Sequence, residues 1–171
     1  MGSSEINAAL EKLSQTFASR PEKALVKHAP VTATLQSGLA CRITGLAGEE
    51  IKTDMPGAMG GNASGPNPGS LFRASLASCL TTVIAMRAAR LGIELSKLEV
   101  AVESDGNNQG IIGLDDRISA GMSGLRTTVQ IAARSCTQAE LDELVIWADK
   151  HSPVSCTLRE APSNALVIRA A

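Results

Sequence analysis

A chain of 171 residues, 44% hydrophobic and with a net charge of −1, has material for one core and no excess charge with which to hold a polyanion or a membrane surface. Two phenylalanines, one tryptophan and no tyrosine argue against a stacking surface for nucleic-acid bases. The opening Met1-Gly2-Ser3-Ser4-Glu5 lacks the basic and apolar pattern of a leader, and the uncharged run 74–86 is too short to span a bilayer. A soluble, cytoplasmic protein is expected.

Its four cysteines, Cys41, Cys79, Cys136 and Cys156, are then expected as thiols rather than disulfides. With no C-x-x-C pair and only His28 and His151, nothing in the sequence calls for a metal or another cofactor.

Residues 4–18 place Ile6, Leu10, Leu13 and Phe17 on one helical stripe, which Arg20-Pro21 stops. A linker follows over 22–29. From Val31 the period is two: Val31, Ala33 and Leu35, a Ser37-Gly38 turn, then Leu39, Cys41 and Ile43 predict a hairpin. A third strand is expected at 50–54. Five glycines and three prolines make 55–69 a loop with special backbone needs. Asn67-Pro68 is a good helix start, and the helix should reach Leu91 with Gly92 as its cap. Its Ala74, Ser75, Ala77, Ser78, Ala85 and Ala88 allow a second helix to approach closely.

Beyond it, 98–102 alternate as a strand, 105–108 form a turn, and 125–131 form another strand. Thr137-Gln138-Ala139-Glu140 has capping-box spacing, before Leu141, Leu144, Val145 and Ala148 on one helix face. Ser152-Pro153 stops that helix, and 164–169 is expected as a last strand. Strands in blocks rather than in strict alternation with helices give an α+β class.

Cys79 is the strongest candidate for chemistry. It follows the Gly/Pro loop on a small-residue helix, where the sequence allows either simple packing or a nucleophile. About three turns in, it gains little from its own helix dipole, so a thiolate there needs a cation, for which Arg42 is a candidate. Cys156 is either a loop thiol of no consequence or a partner for an oxidised thiol. Cys41 and Cys136 read as structural. His151 is a possible base, against the commoner role of bonding the last helix carbonyls.

The run Gly60-Gly61-Asn62-Ala63-Ser64-Gly65-Pro66-Asn67-Pro68, with Leu71 and Ala74-Ser75-Leu76-Ala77-Ser78-Cys79, resembles the core motif of the OsmC/Ohr family. The resemblance continues through Leu91-Gly92-Ile93, 110–114, His151-Ser152-Pro153-Val154 and Thr157-Leu158, covering about 31–170. It implies an OsmC-like domain at 31–171 behind an added helix and linker at 1–30. The implied fold has antiparallel sheets around long central helices in an intertwined homodimer.

By the same resemblance Cys79 matches the cysteine that attacks peroxide, and Arg42 is the best match to an arginine that holds its thiolate. The family's resolving cysteine falls on Ser152, which forms no disulfide, and Cys156 is a possible substitute. The family's glutamate falls on Gly69 or Ser70, neither acidic. The implied function is a thiol peroxidase reducing organic hydroperoxides with an external thiol reductant, in the oxidative stress response. The alternative is a non-catalytic dimer that holds a small apolar or thiol-reactive ligand. Neither nucleic acid nor membrane is expected as a partner.

Overall fold

The computed structural model describes residues 2–170, and the chain folds as two compact units. One comprises residues 8–75. The other joins the first few residues to 76 and beyond. Helix α1 spans Ser3–Ser19, and its stripe is followed by a 3-10 turn at Pro21–Ala24 that runs into the expected linker.

In the 8–75 unit, β1 (Thr32–Ser37), β2 (Ala40–Leu46) and β3 (Glu49–Thr53) form an antiparallel sheet in chain order. Leu35 faces Cys41 and Ile43 faces Ile51, so the period-two pattern sets the register. Every residue of β1 is exposed, and Ala40 is the only buried hydrophobic residue among those described in this unit.

In the other unit the long helix α2 (Pro68–Arg90) contributes Leu80, Ile84 and Ala88 to the core. They pack against Leu144 and Ala148 of α4 (Gln138–His151), a contact to which the small-residue set contributes Ala88, while Ala74, Ser75 and Ser78 are exposed. By length and composition α2 could cross a membrane, which the 74–86 run alone did not suggest. Gly92, at φ 70°, follows it in the left-handed region, as expected of the residue after a helix.

Beneath these helices lies a hairpin of β4 (Leu95–Gly106) and β5 (Met122–Ala133), paired Val100 to Val129 and Leu98 to Ile131. Alternate residues of β4 turn toward the core, and Leu98, Val100, Val129 and Ile131 close it. Thr137 and Glu140 make the capping box of α4 reciprocally.

Three expectations need correction. The turn at 105–108 is the end of β4 followed by Asn107, whose side chain accepts the Gln109 N–H and caps the short α3 (Asn108–Ile111). Residues after Ser152 form helix α5 (Pro153–Arg159) rather than a loop, because serine caps it and proline at the first position costs no hydrogen bond. The segment 164–169 is not a strand. Its Leu166, Val167 and Ile168 are exposed, and a short apolar run becomes a strand only when a neighbour completes the ladder.

Candidate functional site

The glycine-rich loop of the 8–75 unit is organised by Asp54, at the end of β3 and almost completely buried. Its carboxylate accepts hydrogen bonds from the N–H groups of Met55 (2.8 Å), Asn62 (3.1 Å) and Ser64 (3.2 Å) and from the Ser64 hydroxyl (2.7 Å). The Ser64 hydroxyl foremost, followed by these backbone donors, pulls the Asp54 carboxyl from its ordinary 3.8 down to about 2. A Cβ on Gly61 would lie 1.9 Å from the Met55 carbonyl oxygen, and one on Gly65 would lie 2.4 Å from that of Lys52. Two glycines of the loop are therefore there because backbone passes against backbone. Asp54 was missed in the sequence. Its one signal is an acid at a strand end, facing a loop rich in N–H groups without ladder partners.

Asn67 starts α2 as expected, its Oδ1 accepting the Ser70 N–H at 2.9 Å. Ser70, one of the two positions that match the family's glutamate, spends its hydroxyl on Asn67 and accepts Arg73 Nη2 at 3.2 Å. Arg42 lies on β2 in this unit and pairs with Glu50 across to β3 at 3.3 Å, both side chains about half exposed.

In the other unit, the structure brings Cys79 and Ser152 together. Cys79 is half-buried on α2, and the fully buried Ser152 hydroxyl donates to its sulfur at 3.2 Å. The Ser152 oxygen also accepts the Ser155 N–H at 3.3 Å, so one hydroxyl caps α5 and serves Cys79. The position is fixed at both ends: Ser152 closes α4 and opens α5. The structure thus holds a hydroxyl donor against the Cys79 sulfur, the atom through which cysteine acts as a nucleophile.

Cys156 sits one turn into α5, its N–H bonded to the Ser152 carbonyl at 2.9 Å. Its thiol donates to the Lys150 carbonyl at 3.2 Å and accepts Arg159 Nη2 at 3.5 Å. Arg159 is itself clamped to Asp149 at 2.8 Å. The thiol is thus engaged on a helix, not carried by a mobile loop. His151 bonds the Trp147 carbonyl through Nδ1 at 2.7 Å and stacks on the Trp147 ring. All four cysteines are free thiols.

The model of the family described as OsmC-like protein matches residues 60–166, which hold the Asp54-bonded loop segment, Cys79 and Ser152. The chain belongs to the OsmC-like family. Among solved structures it is similar to the OsmC-like protein of Mycoplasma pneumoniae, at TM-score 0.67 and 20% identity over 80% of this chain and 91% of that one. It is also similar to an organic hydroperoxide resistance protein OsmC of Legionella pneumophila (TM-score 0.53, 22% identity, 78% and 92% covered). The organic hydroperoxide resistance protein OhrB of Bacillus subtilis is a third (TM-score 0.51, 24% identity, 78% and 93% covered). At such identities the likeness establishes the OsmC-like α+β fold. A search of the curated proteins gives no match.

Proposed function

We propose that this OsmC-like protein is a thiol-dependent peroxidase that reduces organic hydroperoxides through Cys79. The observation that carries the reading is the Ser152 hydroxyl at 3.2 Å from the Cys79 sulfur, on a helix start that holds it in place. The Cys79 thiolate attacks the terminal oxygen of R–O–O–H. An S–O bond forms, the O–O bond breaks, and the alkoxide leaves as alcohol after taking a proton, giving a sulfenic acid. Arg42 is assigned to steady the thiolate by resemblance alone. The position of the resolving cysteine is a serine, so the sulfenic acid is returned to thiol by two equivalents of an external thiol. The protein acts in the oxidative stress response of the cytoplasm.

The working form is a homodimer. The exposed β1 and the apolar Leu166, Val167 and Ile168 are surfaces that a second copy would cover. A second reading, a dimer that binds a small apolar or thiol-reactive ligand without turnover, is favoured by Gly69 and Ser70, which supply no carboxylate, and by the Arg42–Glu50 pair. The two readings separate by trapping. Cumene hydroperoxide followed by dimedone should label Cys79 in the native protein and leave Cys79→Ser unlabelled. No label at position 79 would favour the binding reading.

A further inference from the structure

A cavity of about 550 Å³ lies at the far end of α2, between the turn after it and the first turns of α4. That volume lies within the range of small-molecule sites. Leu91, Ile93 and Leu144 give it an apolar wall, and Trp147 closes one side.

Two groups of opposite charge line it without a charged partner among the described residues. Arg87 places its guanidinium carbon 4.4 Å from the Trp147 ring centre. A guanidinium over a ring satisfies its face, while its N–H donors lie around its edge. Arg87 Nε is buried and meets no acceptor among the described residues, a costly state for a charged donor. The acid is Glu143. The neighbouring Glu140 is committed to the N–H and hydroxyl of Thr137, both at 2.8 Å, whereas Glu143 has no such bond among the described residues. Both faces of Trp147 are taken, by Arg87 and by His151, so an occupant meets the indole at its edge.

We propose that this cavity binds a free α-amino acid with an apolar side chain. Its carboxylate pairs with Arg87, its ammonium pairs with Glu143, and its side chain lies against Leu91, Ile93 and Leu144. A carboxylate supplies the acceptor that the buried Arg87 Nε lacks, and an ammonium beside it meets the opposite charge of Glu143, so the zwitterion is the class that matches both. The inference is independent of the chemistry assigned to Cys79.

The test uses the full-length protein and L-leucine as probe, with isothermal titration calorimetry for affinity. Iodoacetamide labelling of Cys136, on the cavity wall, read by peptide mass spectrometry, locates the site. L-leucine should bind and slow labelling of Cys136 several-fold. N-acetyl-L-leucine, which lacks the ammonium, and isoamylamine, which lacks the carboxylate, should each bind at least roughly tenfold more weakly, as expected for loss of one charge-assisted pair. Arg87→Gln and the exposed Glu143→Gln should weaken L-leucine binding to a similar degree. The absence of L-leucine binding at millimolar concentration would overturn the proposal, as would binding that leaves Cys136 labelling unchanged. Equal binding of either analogue, or L-leucine affinity indifferent to Glu143→Gln, would equally overturn it.

Discussion

The Ser152 hydroxyl and the Cys79 sulfur are 3.2 Å apart and are held there by two helices that meet at Ser152. At this separation a second sulfur in place of the hydroxyl is close enough to bond after a small side-chain rotation. Ser152→Cys is therefore expected to form a disulfide between positions 79 and 152 on peroxide treatment. It would appear as a loss of two hydrogens by intact mass and as protection from sulfinic acid formation. Ser152→Ala removes both the donor to Cys79 and the cap of α5, and should cost about 1 kcal/mol of stability by urea unfolding. Reaction of Cys79 with hydroperoxide should slow with it.

Cys156 is a bystander in this account. Its thiol is bonded to the Lys150 carbonyl and Arg159, one helical turn beyond Ser152. Turnover of Cys156→Ser with dithiothreitol should stay within about twofold of the native rate, with no increase in over-oxidation. Collapse of turnover would instead make Cys156 the resolving thiol.

Asp54 gives the motif loop a pH dependence of defined sign. Its folded-state carboxyl lies at about 2, below its ordinary 3.8, so the folded chain takes up the proton less readily than the unfolded one. The stabilisation is fully present above about pH 4 and is lost as pH falls toward 2. Asp54→Asn should lower Tm at neutral pH by on the order of 5 °C, and the gap to the native protein should close below pH 4. Gly61→Ala, whose Cβ meets the Met55 carbonyl at 1.9 Å, should disturb the same loop at every pH. Differential scanning fluorimetry across pH 2–7 checks both.

A second copy is expected over the exposed sheet face and the apolar tail. Multi-angle light scattering at micromolar concentration should give twice the mass of the 17.7 kDa chain, with an interface beyond about 2,000 Å². A monomer would contradict this.

The hairpin, the long helix and the capping box were legible because each is written in local signals. Val31 to Ile43 alternate, Asn67-Pro68 starts a helix, and Thr137 and Glu140 are spaced to cap each other. Ser152 was legible only through the family motif, and its contact with Cys79 joins positions 73 residues apart that no local pattern links. Helix α5 was hidden by Ser152-Pro153, which reads equally as a stop and as a start. The 164–169 segment misled because Ala165 to Ile168 is a short apolar run with β-branched residues, and such a run becomes a strand only beside a partner, which no described strand of the chain provides there. Asp54 and the Arg87–Trp147 pair were invisible because their roles depend on backbone and side chains brought in from elsewhere in the sequence.

The most direct measurement is the stoichiometry of cumene hydroperoxide consumed by the reduced protein with no added thiol. The account predicts about one equivalent per chain in the first turnover, matched by one oxygen gained at Cys79, with none consumed by Cys79→Ser and continued turnover once dithiothreitol is added. Consumption that is absent, or that is the same in native protein and Cys79→Ser, would contradict it.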